Sequence, residues 1–188
     1  DSLFVSEIAA YYGLPCDVVE VEGDTLDGSL SPEEAAREAR YGAFMRVLEE
    51  SGARRLATGH TADDRVETLL LRLISGAGPR GLAAIPPVRP PFVRPLIQVW
   101  RKEVEEYLAH LPFEPRLDRS NLDTSIPRNR VRHELLPLLE REYNPAVRRV
   151  LAKEADVFSY LTELLDVLAE EAEVKHVHRS ARGVEMEV

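Results

Sequence analysis

Two hydrophobic periods alternate along the N-terminal part of this chain, and that alternation restricts its fold more than any other feature. Leu3, Phe4, Ile8, Tyr11 and Tyr12 recur at helical spacing until Gly13 and Pro15 stop them. Residues 16–22 then alternate as a strand would, and a polar loop runs from Gly23 to Leu30. Ser31-Pro32-Glu33-Glu34 forms a helix start, with Ser31 as N-cap, Pro32 in the first turn and Glu34 closing a capping box. That helix is expected to reach Ser51-Gly52. A short strand over Arg54–Thr58 ends in Gly59-His60, and a helix over Thr61–Ile74 is expected to bury Val66, Leu69, Leu70, Leu73 and Ile74. Helix, strand, helix, strand, helix is the order of a parallel sheet with crossover helices, so the expected class is α/β and Rossmann-like. Opening on a helix implies a preceding strand outside the chain, which makes this a partial nucleotide-binding domain.

Beyond Ser75 the texture changes. Pro86, Pro87, Pro90, Pro91 and Pro95 predict a rigid extended connection rather than a helix or an inner strand. An amphipathic helix follows over Val99–Leu111, then polar turns over 112–127, then a helix over Arg128–Leu139 interrupted by Pro137. Asn144-Pro145 opens a long helix to about Glu173. The tail, Val174–Val188, alternates around Arg182-Gly183 as a hairpin does. The first body is expected over 1–142, and 143–188 is expected to be a long helix whose tail is either the start of a C-terminal domain or an ordered end.

Composition narrows the functional classes. A single cysteine, Cys16, excludes an intramolecular disulfide and a CxxC site within the chain. Cys16 is expected to be a buried, inert thiol at a strand start. No apolar run approaches the ~20 residues of a membrane helix, and no signal-peptide pattern opens the chain, so a cytoplasmic protein with no membrane partner is expected. The net charge of −9 argues against nucleic acid until its distribution is considered. Residues 1–50 hold 12 acidic and three basic residues, whereas residues 116–149 hold eight arginines against five acids. A basic stripe thus survives in an acidic chain.

Three constellations can carry chemistry. In Gly59-His60-Thr61-Ala62-Asp63-Asp64-Arg65-Val66-Glu67-Thr68 a strand end meets a helix N-terminus, the place where open α/β sheets bind ligands. Asp63, Asp64 and Glu67 are i,i+4 and i,i+3 neighbours and repel one another unless a cation sits among them; Mg²⁺ suits such oxygens. On that reading Asp64→Asn relieves repulsion in the metal-free protein. The alternative is that these acids only complement the helix dipole, at ~0.3–1 kcal/mol each. The second constellation, Ser75-Gly76-Ala77-Gly78-Pro79-Arg80-Gly81-Leu82, is either an anion-binding loop with Arg80 or a helix C-cap and tight turn. In the third, Asp118–Asp123 precedes Arg128-Asn129-Arg130-Val131-Arg132. Arg128 and Arg132 share a helix face while Arg130 points elsewhere. Their counter-charge is either a bound anion or Asp118 and Asp123.

Taken in order, GHTADDRVET, SGAGPRGL, Arg94-Pro95-Leu96, DRSNLD and RNRVR resemble the bacterial tRNA(Ile)-lysidine synthetases, members of the PP-loop (N-type ATP pyrophosphatase) group. The helix around Glu34–Tyr41 shares the likeness, which covers roughly Phe4 to Asn144. The resemblance implies ATP and Mg²⁺ as cofactors, and L-lysine and a tRNA(Ile) with a CAU anticodon as partners. It implies adenylation of the wobble cytidine and its conversion to lysidine with release of AMP and pyrophosphate. It implies catalytic roles for Asp63, Asp64, Glu67, Arg128 and Arg130, with the three acids holding metal. His60, Arg40 and Gly59 fall to ATP, and Arg80, Asn129 and Arg132 to tRNA or substrate. One departure stands out: the family's Ser-Gly-Gly-x-Asp-Ser pyrophosphate loop does not occur in the sequence. The domain over 1–142 is therefore expected to lack its first strand and that loop. Two other readings compete. A PP-loop tRNA thiolase would carry paired cysteines where this chain has one, and a non-catalytic tRNA-binding fragment would need no ATP. The leucine-rich face of the last helix needs a partner surface, within the chain or on a second copy in a homodimer.

Overall fold

A computed structural model describes residues 2–20, 32–116, 118–180 and 183–186. The polar loop over Gly23–Leu30, the capping residue Ser31 and Arg182 of the tail turn lie outside the described residues. Helix α1 spans Ser2–Tyr11, and Gly13 ends it with φ +66°, a left-handed value that a side chain would resist. Helix α2 spans Pro32–Ser51 and stops the same way at Gly52. Between them residues 16–20 are irregular, not the expected strand, and Cys16 is exposed rather than buried. Alternation predicts a strand only where a neighbouring strand takes up the backbone hydrogen bonds, and among the described residues none lies beside 16–20.

Strand β1 (Leu56–Ala57) leads into α3 (Ala62–Ile74) and the short α4 (Pro79–Leu82). Strands β2 (Val88–Arg89) and β3 (Phe92–Val93) form a hairpin, and the sheet order is β1-β3-β2. β1 and β3 are parallel, with α3 and α4 in the crossover, while β2 and β3 are antiparallel. The proline-rich stretch therefore supplies an inner strand, against expectation. The reason lies in where the prolines fall. Pro90 and Pro91, joined by a cis peptide, occupy the turn, and Pro86, Pro87 and Pro95 lie outside the strands. Leu56 N donates to Pro91 O at 3.0 Å, Thr58 N to Val93 O at 3.0 Å, and Arg94 N to Pro87 O at 2.9 Å. At these rungs the prolines serve only as acceptors, so their missing N–H costs nothing.

Helix α5 spans Arg101–Leu108, shorter at both ends than the periodicity predicts, with Glu103 accepting from Trp100 N at 2.8 Å. A 3₁₀ turn over Arg119–Leu122 precedes α6 (Pro127–Arg130), which continues through a π turn over Val131–Leu135 into α7 (Leu136–Glu142). Pro137 does not break this helix. It lacks an N–H and crowds the carbonyl four residues back, and the wider π turn just before it makes the room. Helix α8 runs over Val147–His176, and a hairpin of β4 (Val177–Ser180) and β5 (Gly183–Met186) follows.

The core lies between α3, the α6–α7 stretch and α8. Val66, Leu70, Val131 and Leu136 form one buried cluster; Leu69, Ala84 and Ala155 form another, with Leu151 packed against both. Leu73 and Ile74, expected in the core, are 52% and 69% exposed. They follow the same helical period, but α3 outruns the surface it packs on. The Ser75–Leu82 loop is a helix end and tight turn: Gly76 takes φ +77°, and Arg72 donates to the carbonyls of Gly81 (2.8 Å) and Ala84 (3.0 Å). A Cβ on Gly81 would sit 2.7 Å from Ala77 Cβ, which has no flexible end to move. Gly81→Ala is expected to cost about 1–3 kcal/mol in urea unfolding.

Candidate active site

The site is built where β1 hands over to α3. Thr61 ends the extended segment and caps α3, and Asp64 at the third helical position accepts from Thr61 N (2.7 Å) and Thr61 Oγ1 (3.0 Å) through Oδ2. Asp64 is thereby fixed by the helix start itself. One turn on, Glu67 is fully buried. Its counter-charges come from α6 and the π turn. Arg128 donates to Glu67 Oε2 (2.9 Å) and Asp64 Oδ1 (2.8 Å); Arg132 donates to Glu67 Oε1 (2.6 Å) and Oε2 (2.8 Å). Arg132 Nη2 also lies 3.5 Å from Asp64 Oδ1. The acids and arginines that the sequence presents as two separate constellations are each other's partners.

Hydrogen bonding to Glu67 raises the Arg132 pKa above its ordinary value, despite the opposing effect of burial. Asp63 lies outside this knot: its Oδ2 accepts from Arg101 N (2.7 Å) at the head of α5, and its Oδ1 from Arg148 (3.1 Å) on α8. The three carboxylates thus do not converge on one point. Every oxygen already has a donor, and among the described residues no three metal-capable side chains gather. The trio does not fit a Mg²⁺ ligand set in this arrangement; the cations that relieve its repulsion are guanidiniums.

The remaining candidates divide between the knot's surroundings and the surface. Arg40, Gly59, Thr61, Asp64, Arg128 and Arg132 line one cleft of about 780 Å³. A larger cavity of about 1160 Å³ opens past Asp63, Arg132 and Arg148, and Arg101 and Asn121 border both. Arg130 is exposed on the far side of α6, as a 100° helical step requires. Arg80 is not brought to the site; it pairs with Asp166 of α8 at the surface. Asn129 is 5% exposed and uses its amide to clip the 3₁₀ turn, donating to Ser120 O (2.8 Å) and Asp123 O (2.9 Å). Asp118 and Asp123 do not neutralise the arginines. Each caps its own turn, accepting from Ser120 and Ser125, and those bonds hold both carboxyls below the ordinary range.

Three participants were given no role from the sequence: Thr61, Arg101 and Arg148. Thr61 was findable, because Thr-x-x-Asp is a capping signature. Arg148 was not, since 85 residues separate it from Asp63.

His60 is half-buried, with Nδ1 2.8 Å from Thr58 Oγ1. Burial, the largest influence, lowers its pKa from the usual 6.5; Arg94, Arg128 and Arg37 push the same way, against Asp64. The folded state therefore prefers the neutral ring. Its contribution to stability is whole above about pH 6.5 and is lost as pH falls through and below that value. His60→Gln is expected to flatten the loss of stability between about pH 7.5 and about pH 5.5. Urea unfolding at both values checks this, and an unchanged loss would contradict it.

The family profile of the PP-loop domain matches residues 1–139. A solved U34-tRNA thiolase, NcsA of Methanococcus maripaludis with its 4Fe-4S cluster, shares the fold: TM-score 0.64 and 17% identity over 85% of this chain and 56% of that one. The chain belongs to the PP-loop domain family, with an open three-stranded sheet, flanking helices and a mostly helical C-terminal segment. Within that class its sequence is similar to tRNA(Ile)-lysidine synthases. It is 42% identical to that of Geobacter sulfurreducens over 187 residues, 97% of this chain and 40% of the relative. It is 40% identical to that of Thermobifida fusca over 157 residues, 84% of this chain and 48% of the relative. The chain thus spans less than half the length of these curated relatives. No helix among the described residues is long and apolar enough to cross a membrane.

Proposed function

We propose that this chain is the catalytic part of an ATP-dependent tRNA-modifying ligase that makes lysidine. ATP adenylates O2 of the wobble cytidine in a tRNA(Ile) with a CAU anticodon, and pyrophosphate leaves. The ε-amine of L-lysine then attacks C2, and AMP leaves. The observation that carries this reading is the knot of Arg128, Arg132 and Asp64 around the buried Glu67, beside the Arg40–Gly59 cleft, in a chain similar to lysidine synthases along almost its whole length. Guanidiniums held rigid by buried carboxylates are pre-organised to face charge that develops on a phosphate. Arg40, Gly59 and His60 are assigned to the nucleotide side. Arg130, exposed and one helix face away, is assigned to the tRNA backbone. Mg²⁺ is assigned to the nucleotide, whose phosphates carry it, and not to Asp63, Asp64 and Glu67.

The test is ATP–pyrophosphate exchange by the full-length protein with tRNA(Ile) and lysine, together with lysine incorporation into the tRNA. Exchange without lysine incorporation would leave adenylation standing and remove the ligase. The thiolase alternative is disfavoured by one observation: the chain's one cysteine, Cys16, is exposed and far in sequence from the site. Iron and sulfide analysis of the full-length protein separates the two.

A second copy of the chain is the partner we assign to the outer face of α8. Val150, Val157, Leu161, Leu164 and Leu168 are exposed along one stripe of that helix. Antiparallel pairing of two such helices about residue 162 sets Lys153 of one copy opposite Glu171 of the other, twice. Sedimentation velocity is expected to find a dimer that Leu164→Glu converts to a folded monomer.

A further inference from the structure

We propose that Arg148 is a positioning residue: it holds Asp63, and Asp63 in turn sets the first turn of α3, which carries Asp64 and leads into Glu67. The proposal rests on the reading of the Asp64–Glu67 knot as the active site. Arg148 sits at the start of α8 and is 23% exposed at its side chain. Its Nε donates to Glu140 of α7 at 2.9 Å, which orients the guanidinium, and its Nη1 donates to Asp63 Oδ1 at 3.1 Å. The other Asp63 oxygen takes the Arg101 amide at 2.7 Å. One carboxylate thus joins the heads of α3, α5 and α8 at the residue preceding Asp64.

Attachment of α8 to the body does not depend on this pair. Leu151 and Ala155 pack into the core, Arg65 bonds Asp156 at 2.6 Å, and Arg80 bonds Asp166. Those three attachments lie further along α8, whereas Arg148, braced by Glu140 of α7, is the contact from α8 to Asp63 on the catalytic turn. Asp63 also borders the larger cavity with Arg148, while Asp64 borders the Arg40 cleft. Adjacent aspartates on one helix turn therefore face different spaces. A shift of Asp63 changes the angle at which Asp64 meets Arg128.

The test uses the full-length protein with Arg148→Met, Arg148→Lys, Asp63→Asn, and Met and Asn combined. Methionine keeps the packing and removes the charge; asparagine keeps an acceptor for the Arg101 amide. Arg148→Met is expected to lower kcat of ATP–pyrophosphate exchange by about tenfold or more, with KM for ATP within about threefold of wild type. Arg148→Lys is expected to recover most of the loss, because an ammonium still reaches Asp63. The combined variant is expected to be no worse than the poorer single one, since both act through one contact. Multiplying losses would overturn the proposal. So would an Arg101 amide whose hydrogen exchange is unchanged by Arg148→Met, where a rise of about tenfold is expected. The amide measurement needs no activity. If the wild-type protein shows no exchange with ATP, the function fails, and the amide still decides whether Arg148 holds the turn.

Discussion

Glu67→Gln is expected to lower the melting temperature by about 6–20 °C and to abolish adenylation. Glu67 is fully buried and accepts from both Arg128 and Arg132. Its amide counterpart keeps one acceptor oxygen, presents an NH₂ to a guanidinium, and leaves two partly buried cations with a single carboxylate between them. Removing one partner of a buried pair costs about 3–5 kcal/mol. In a chain of this size each kcal/mol moves the melting temperature by about 2–4 °C. The sign matters more than the size. Read from sequence, the acidic cluster is self-repelling, and neutralising Asp64 relieves it. In the structure the acids are separated by guanidiniums, so losing either charge at Asp64 or Glu67 uncovers a cation. Differential scanning calorimetry of Glu67→Gln and Asp64→Asn checks this. A variant more stable than wild type would restore the repulsive reading and leave room for a metal among the acids.

Arg128→Ala and Arg132→Ala are both expected to reduce adenylation by about a hundredfold or more, the scale of losing one pre-organised donor to a developing charge. Arg130→Ala is expected to leave the chemistry nearly intact. The family resemblance pairs Arg128 with Arg130 in catalysis and leaves Arg132 to tRNA or substrate. The geometry regroups them. Arg128 and Arg132 grip the same carboxylates, whereas Arg130 is exposed on the opposite face. A surface arginine that meets the tRNA backbone shows itself in salt dependence: Arg130→Ala should reduce the slope of log affinity against log salt by about one contact. Single-turnover adenylation and tRNA binding at several salt concentrations separate the two effects. Loss of chemistry in Arg130→Ala with an unchanged salt slope would reverse the assignment.

Wherever chemistry is local, the sequence was enough. Periodicity placed α1, α3 and α8, a capping pattern placed α2 and a short apolar run placed β1, because each needs only neighbours in the chain to reveal its period, its start or its stop. The Arg128/Arg132 face and the outward turn of Arg130 follow from helical geometry alone. Tertiary structure decided whatever depends on a distant partner. Residues 16–20 alternate, but among the described residues no strand lies beside them to pair with, and they stay irregular. Phe92–Val93 is an inner strand because Leu56–Ala57 comes to lie beside it, and the flanking prolines happen to need no donor. Leu73 and Ile74 continue the apolar period of α3 past the end of the surface it covers. Above all, a sequence shows charges but not their distances. Asp64 and Glu67 stand more than sixty residues from Arg128 and Arg132, and Asp63 stands 85 from Arg148. Counter-charge falls off with separation in space and is indifferent to separation along the chain. Only the folded chain shows that these carboxylates and arginines are partners.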